Sequence, residues 1–296
     1  MTVQAHEMHD DVLAWFDVAA RDLPWRTDPR PWPVMVSEFM LQQTPVARVL
    51  PVFEAWMERW PTPAALAADA PGEAVRAWGK LGYPRRALRL HAAATAIVDE
   101  HGGEVPSDID DLRALPGVGD YTAAAIASFA FGGRHVVLDT NVRRVFARTI
   151  EGVAFPESGG TSRSRGTVSA AERALAAALM PARDADRWAA ATMELGAVIC
   201  TARSPQCGVC PAVDHCAWFA AGRPEHDGPP RRGHAYAGTD RQVRGRLLDV
   251  LRDADGPVVR TALNAAWDDD EQRERCLASL LADGLVHETA DAKFSL

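Results

Sequence analysis

Apolar or small residues recur every three or four positions along most of the first 220 residues of this 296-residue chain. The spacing is seen at Leu88, His91, Ala92 and Thr95. It is typical of amphipathic helices that pack together, with Pro and Gly at the segment ends. Helices are predicted at 12–21, 38–60, 73–82 and 87–102. An all-α fold is therefore expected, with no strand before residue 235 and no internal repeat.

The pattern changes after residue 221. Residues 222–238 are rich in Gly, Pro and charge, which is typical of a linker. A helix is then predicted from a capping residue, Thr239 or Asp240, followed by two shorter helical segments and two short strands. This is the element order of a winged helix. The alternative for 239–296 is a simple helical cap.

Residues 115–148 combine a glycine turn with a carboxylate. Gly117-Val118-Gly119 predicts a tight hairpin between two helices, because glycine accepts backbone angles that other residues avoid. Its amides would lie at a helix N-terminus, where they suit a phosphate oxygen of a DNA backbone. Asp139 follows, just ahead of an arginine-rich helix. A carboxylate in a region that grips a nucleic acid is placed to react with the nucleotide held there.

Four cysteines lie close together, at Cys200, Cys207, Cys210 and Cys216. Disulfides are disfavoured in a reducing compartment, so four thiols in one loop indicate a metal centre. Zinc sites usually take two close pairs, whereas a four-iron cluster tolerates uneven spacing because each cysteine binds a different iron. The cluster is favoured, as a structural element, over zinc or free buried thiols. Cys276 stands apart and is predicted to be structural.

The net charge of −8 argues mildly against a nucleic-acid partner. The distribution of the charge nevertheless favours a nucleic-acid partner, because arginines form clusters that could bind its backbone. These clusters are Arg85, Arg86 and Arg89, then Arg143, Arg144 and Arg148, then Arg231 and Arg232. Taken alone, each cluster is typical of a solvated helix face. The chain has neither a transmembrane run nor the features of a signal peptide, and a soluble cytoplasmic protein is expected.

Glu38 supplies a second candidate for acid chemistry, followed by Gln42 and Gln43. A purine leaves its sugar poorly as an anion, so a general acid must protonate it. Partial burial raises the pKa of a carboxylic acid and lets it keep that proton near neutral pH. The two glutamines offer amide groups to base edges. The simpler interpretation of Glu38 is a glutamate in the first turn of a helix, favoured by the dipole.

SEFMLQQT at 37–44, with PWR at 24–26, resembles the signature of the A/G-specific adenine glycosylases of the MutY family. With the glycine hairpin and the cysteine spacing, the resemblance covers residues 8–220 and extends to the helix-hairpin-helix endonuclease III superfamily. It implies a 4Fe–4S cluster on the four cysteines. It also implies that Glu38 protonates adenine, that Asp139 stabilises the sugar cation and that Asn141 orients Asp139.

Tyr121 follows the hairpin at a position where bifunctional members of the superfamily have a lysine. That lysine attacks the sugar and forms a Schiff base, which a phenol cannot do. The resemblance therefore implies a monofunctional enzyme that leaves an abasic site, with Tyr121 near Glu38 and the purine. The alternative for Tyr121 is an aromatic residue in the core of the hairpin.

The resemblance further implies a set of substrate-contacting residues: Trp25, Arg26, Gln42, Gln43, Thr44, Tyr83 and Glu194. The tryptophan and arginine would line the adenine pocket, the glutamate would read the adenine amino group, and Tyr83 would intercalate beside the opposite base. Without the resemblance, Trp25 would be assigned to the core, Glu194 to a helix surface and Tyr83 to turn packing.

The family fold implies two helical subdomains, at about 30–135 and at about 1–29 with 136–221. Many relatives add a Nudix-like β domain that recognises 8-oxoguanine, and 239–296 is too short and too helical to be one. The predicted function is removal of adenine opposite 8-oxoguanine or guanine in double-stranded DNA, by a monomer. A thymine or uracil mismatch glycosylase and a non-catalytic iron–sulfur DNA-binding regulator are the alternatives.

Overall fold

The structure is a computed structural model that describes residues 3–156, 168–226 and 236–296, with side chains from residue 7 onward. The predicted all-α fold is confirmed, because none of the described residues before 236 lies in a strand. No described helix is long and apolar enough to cross a membrane. The chain forms two compact units. Unit 1 contains Met1–Val34, Ser107–Arg113 and Val118–Pro229, and unit 2 contains Met35–Pro106, Ala114–Gly117 and Pro230–Leu296.

The helices are, in chain order, α1 (Val3–Ala19), α2 (Pro24–Thr27), α3 (Pro31–Leu41), α4 (Val46–Arg59), α5 (Pro63–Ala67), α6 (Pro71–Trp78), α7 (Arg85–His101), α8 (Ile109–Ala114), α9 (Asp120–Phe131), α10 (Thr140–Phe146), α11 (Ala170–Leu179), α12 (Ala185–Val198), α13 (Ala217–Ala220), α14 (Asp240–Arg252), α15 (Arg260–Asn264) and α16 (Asp270–Ala282). A π-helical turn, Ala147–Glu151, continues α10. Two strands, β1 (His287–Glu288) and β2 (Phe294–Ser295), close the chain.

The core of unit 1 is formed where α1, α10 and α12 meet. Met8 and Val12 pack with Phe146, Trp188 and Leu195, which are all at most 5% exposed. The Trp188 ring stacks on Phe146 with centroids 6.3 Å apart. Because α10 and α12 share this core, the loop ahead of α10 and the inner face of α12 have fixed positions within the unit.

The first core of unit 2 is aromatic and lies between α4, α5 and α6. Trp56 makes edge contacts with Trp60 and Trp78, at centroid separations of 4.6 and 5.8 Å. Thr62 starts α5 by accepting a 3.2 Å hydrogen bond from the Ala65 amide. Beside them, α7 buries Ala87, Leu90 and Ile97 among other residues.

Two details of the helix predictions were wrong. The predicted helix at 38–60 is two helices, because the chain turns at Gln43, whose φ is +58°, before Pro45. The buried face of α7 is also not the predicted one, since Leu88 is only half-buried and Ala92 is exposed. The second error arises because the spacing of small residues such as alanine does not identify which face packs.

The C-terminal segment has the predicted order of three helices and a hairpin. β1 pairs antiparallel with β2, and Val258 adds a bridge to Phe294. Within unit 2, the Arg76 guanidinium donates to the Leu251 and Ala254 carbonyls at the end of α14, both at 3.0 Å. The predicted boundaries of subdomains and of the C-terminal domain stay predictions. In the predicted linker, residues 227–235 lie outside the described residues.

Candidate active site

The predicted glycine hairpin joins α8 to α9. Gly117 has a φ of +81°, and a Cβ there would lie 2.8 Å from the Arg89 Cβ and 3.0 Å from a ring carbon of Phe39. Gly119 precedes α9 and has open space around it. Val118 is 7% exposed, so only its backbone can meet a ligand. The open amides at the start of a twelve-residue helix fit the predicted contact with a phosphate oxygen.

Asp139 is the N-cap of α10, and this explains both its position and its rigidity. Its Oδ1 accepts hydrogen bonds from the Asn141 and Val142 amides at 2.8 and 2.7 Å, and its Oδ2 accepts one from Asn141 Nδ2 at 2.8 Å. Burial raises the pKa of Asp139, against the effect of these hydrogen bonds. The site therefore holds a desolvated carboxylate in one orientation, which suits the stabilisation of a developing cation.

Asn141 is itself held in place, in agreement with the orienting role that the resemblance implies. Its Oδ1 accepts a 2.8 Å hydrogen bond from Arg144 Nη2, which also donates to the Gly196 carbonyl at 2.6 Å. A Cβ on Gly196 would lie 2.7 Å from the Asn141 Cβ. The glycine therefore permits the close approach of α12 to α10, which places the Gly196 carbonyl within reach of Arg144.

Glu38 lies in unit 2, near the C-terminal end of α3, and it is 6% exposed. The interpretation of Glu38 as a first-turn glutamate is therefore wrong. The helix dipole favours negative charge at the N-terminus only, so it gives a carboxylate at this end no stabilisation. Its neighbours in α3, Ser37 and Phe39, are also buried. The helix thus presents a carboxyl group in surroundings that are largely shielded from water.

Glu194 is fully buried in α12, so its assignment to a helix surface is wrong. Arg21 donates to Glu194 Oε1 through Nε at 2.6 Å and to Oε2 through Nη2 at 2.7 Å, and Arg26 Nη2 donates to Oε2 at 2.8 Å. Burial opposes ionisation, but the two arginines outweigh it and lower the pKa of Glu194 to about 2. The sequence reasoning missed Arg21, whose partner is 173 residues away.

Arg26 retains a donor in this buried cluster. Its Nη1 is buried and has no hydrogen-bond partner within the described part of the chain. Leaving a buried N–H unpaired is costly, and such a group in a native structure points to a missing acceptor. Trp25, the next residue, is 8% exposed. Together they offer an aromatic wall and an unused donor to a flat heterocycle.

Gln42, Gln43 and Thr44 form the turn after α3, and Tyr83 lies in the turn before α7. Gln43 and Tyr83 are exposed and have φ of +58° and +49°. Non-glycine residues adopt this left-handed conformation at a cost of about 1 kcal/mol or more. Both turns keep this left-handed conformation because the surrounding structure fixes them.

Buried Arg86 is the residue that fixes both turns, and the sequence reasoning missed this role. Its Nη1 donates to the carbonyls of Phe39, Met40 and Gln42 at 2.9, 3.2 and 2.6 Å. Its Nη2 donates to Thr44 Oγ1 and to the Gly82 carbonyl, both at 3.0 Å. Burial lowers the pKa of Arg86 to about 10. Predicted as part of a DNA-binding cluster, Arg86 instead joins two loops.

Tyr121, in the first turn of α9, is half-buried against the small residues Ala124, Ala125, Val137 and Ala189. This packing agrees with the simpler interpretation as a hairpin aromatic and leaves part of the ring accessible.

The four cysteines line one pocket, together with Arg148 and Trp218 among others. All four are free thiols, and burial raises the pKa of Cys210 to about 12. Among the described residues, no group of three or more His, Cys, Asp or Glu side chains is arranged to hold a metal ion.

Arg148 lies beside these thiols and is 2% exposed. Its Nη1 donates to Cys200 Sγ at 3.3 Å and to the Thr201 carbonyl at 2.8 Å, and its guanidinium lies 4.5 Å from the Trp218 ring. Arg144 is 6% exposed, and Arg143 pairs with Glu172 at 2.6 Å. The prediction that these three arginines form a DNA-binding cluster is wrong, and so is the solvated-face alternative. Arg231 and Arg232 lie outside the described residues.

The sequence of the chain is similar to those of known DNA repair proteins. Residues 36–152 match the model of the HhH-GPD superfamily base excision DNA repair proteins. The adenine DNA glycosylase of Mycobacterium tuberculosis is 54% identical, over all of this chain and 95% of the relative. The human adenine DNA glycosylase is 42% identical, over 69% of this chain and 38% of the relative.

Two solved structures are similar in fold to this chain. A thermostable thymine-DNA glycosylase superposes with a TM-score of 0.63 at 25% identity, over 74% of this chain and 97% of that one. A non-covalent endonuclease III–DNA complex gives 0.61 at 26% identity, over 75% and 99%.

Proposed function

Because the chain belongs to the adenine DNA glycosylase family, we propose that it hydrolyses the N-glycosidic bond of adenine opposite 8-oxoguanine or guanine in duplex DNA. The observation that carries the proposal is the Asp139 carboxylate, desolvated and oriented by Asn141. A DNA-binding regulator needs no such group. The proposed partner is double-stranded DNA with a mispaired adenine, and the proposed active form is a monomer.

In the proposed mechanism, Glu38 donates its proton to N7 of adenine while the bond between the base and the sugar breaks. The electron pair of that bond leaves with the neutral base, and the sugar becomes an oxocarbenium-like cation. Asp139 stabilises the cation, and a water molecule adds to it after giving a proton to the Glu38 carboxylate. Tyr121 forms no imine, so the product is an abasic site in an intact strand.

Adenine selection is assigned to the cluster around Glu194. The unpaired Nη1 of Arg26 supports this, because a ring nitrogen of adenine is an acceptor of suitable chemistry. Arg21 and Arg26 engage both carboxylate oxygens in the absence of a base. Contact between Glu194 and the adenine amino group then requires that one of the arginines gives up an oxygen.

A 4Fe–4S cluster on Cys200, Cys207, Cys210 and Cys216 is proposed as a structural element. The pocket that they line supports it, and Arg148 supplies positive charge against thiolate sulfur. When bound, the cluster cross-links the loop. Analysis of purified protein for iron and acid-labile sulfide tests the proposal: about four of each per chain is expected, whereas one zinc and no sulfide would contradict it.

The decisive test is cleavage of a duplex panel by the wild-type protein and by Glu38→Gln. Adenine opposite 8-oxoguanine or guanine should be excised, and Glu38→Gln should lower the single-turnover rate by about 10²- to 10⁴-fold, because an amide has no acidic proton. Glu54→Gln is the matched control, since Glu54 is exposed on α4. Near-normal cleavage by Glu38→Gln would remove the acid from the mechanism.

The same panel tests a second candidate. The similarity to a thymine-DNA glycosylase structure favours including thymine and uracil opposite guanine. Excision of these bases, with adenine left intact, would assign the protein to mismatch repair of pyrimidines instead.

A further inference from the structure

One exposed arginine of unit 2 has aromatic contacts but no polar partner. Arg241, near the start of α14, lies with its guanidinium carbon 4.9 Å from the Tyr83 ring and 5.9 Å from the Tyr236 ring. Within the described residues, Arg241 makes no hydrogen bond or ion pair, whereas Arg244 and Arg275 of the same segment are both paired. Its donors are therefore available to a ligand.

The segment that carries Arg241 is held firmly against the Tyr83 turn. Asp283 pairs with Arg85, two residues after Tyr83, at 3.3 Å and with Arg244 at 2.7 Å. The hydrogen bonds of Arg76 with the end of α14 add a second attachment. The helix start that carries Arg241 is thus placed beside the Tyr83 turn by the fold.

The chemistry of the arrangement is that of nucleic-acid recognition. A guanidinium that stacks on an aromatic ring keeps its N–H edge free, and that edge matches a phosphate or the carbonyl edge of a guanine. Tyr83 and Tyr236 are 46% and 55% exposed, so both offer ring surface on which a base can stack.

We propose that Arg241, stacked on Tyr83, binds the nucleotide opposite the excised adenine through its phosphate or its purine carbonyl oxygens. This rests on the proposed function and on the predicted position of Tyr83 beside that nucleotide. The C-terminal helices then supply a contact to the opposite strand.

The experiment compares Arg241→Gln with Arg246→Gln, a control on the same helix. Arg246 is exposed, and five residues further along an α-helix it points about 140° away. The dissociation constant is measured by fluorescence anisotropy on duplexes that carry an uncleavable adenine analogue opposite 8-oxoguanine, guanine or a tetrahydrofuran abasic site. Thermal midpoints verify that the variants are folded, and Arg241→Lys is a second, charge-conserving variant.

Arg241→Gln should weaken binding by roughly 5- to 150-fold, the range for a bidentate arginine contact, while Arg246→Gln should change it less than about twofold. If the acceptor is a phosphate, Arg241→Gln should weaken binding to all three duplexes and should lower the number of ions released on binding by about one. Arg241→Lys should then retain most of the affinity. If the acceptor is the purine edge, Arg241→Gln should weaken binding to the 8-oxoguanine and guanine duplexes but not to the abasic duplex. Arg241→Lys should then restore little of the lost affinity.

Equal effects of Arg241→Gln and Arg246→Gln on every duplex would overturn the proposal. A wild-type protein that binds these duplexes but excises no adenine from the matching duplexes with ordinary adenine would instead contradict the proposed function. The comparison of the two variants would still report on Arg241 in that case.

Discussion

Asp139 in unit 1 and Arg86 in unit 2 are both shielded ionisable groups, of opposite charge, and the structure uses them differently. The Asp139 carboxylate accepts three hydrogen bonds from N–H groups of its own helix start. The Arg86 guanidinium donates five hydrogen bonds to oxygens of two separate turns. Local donors fix one reactive group, whereas distant acceptors make the arginine a connection between loops. The partners of an ionisable group thus decide whether it is held in place locally or joins distant segments.

The largest expected effect is on catalysis, from Asp139→Asn. The amide keeps the shape but loses the negative charge that stabilises a sugar cation, so we expect the single-turnover rate to fall by about 10²- to 10³-fold. Folding stability at neutral pH should change by less than about 1 kcal/mol, because relief from burying a charge offsets the lost hydrogen bond from Asn141. Quenched-flow cleavage and thermal unfolding measure the two quantities. A large loss of stability would make Asp139 architectural, like Arg86.

Arg86→Met should show the reverse pattern, with its main effect on stability. It leaves the buried acceptors of two turns without a donor, and we expect a loss of about 3 kcal/mol in the free energy of unfolding. Chemical denaturation measures it, with Arg85→Met as control, since the exposed pair with Asp283 should contribute less than about 1 kcal/mol. DNA affinity should also fall, because Gln43 and Tyr83 lose their fixed positions. Equal stability of the two variants would contradict the connecting role.

The same contrast, between partners that are local in sequence and partners that are distant, explains which features could be predicted from the sequence. The hairpin was predictable because its cause is local: Gly117 adopts a φ of +81° that other residues avoid. The place of Asp139 just ahead of a helix was predictable for the same reason, whereas the role of Asn141 came from the resemblance and stays a prediction. Arg144 and Arg148 were misassigned to a DNA-binding surface because their acceptors, around Gly196 and Cys200, are more than fifty residues away.

The cluster around Glu194 shows the same limit of prediction from sequence. Arg26 and Glu194 were recognised by resemblance, but neither the burial of Glu194 nor its bond with Arg21 could be read from spacing. A charged residue at helical spacing predicts a solvated face unless its distant partner is known. The family membership could be predicted because its motifs are short, whereas the ionic contacts that support them join remote segments.

The smallest expected effect concerns the pH dependence of stability, through Glu194. Its pKa is about 2 in the folded protein and near 4.5 when unfolded, so its stabilisation is complete above about pH 5.5 and declines as the pH falls towards 2. Between pH 5 and 3 the free energy of unfolding should drop by about 2 kcal/mol from this group. Denaturation of the wild type, Glu194→Gln and the exposed control Glu58→Gln over that range measures it. Glu194→Gln should flatten the decline and Glu58→Gln should not. An unchanged slope in Glu194→Gln would mean that the two arginines leave the carboxylate close to its ordinary pKa, and the cluster would then be open to exchange one arginine contact for the base.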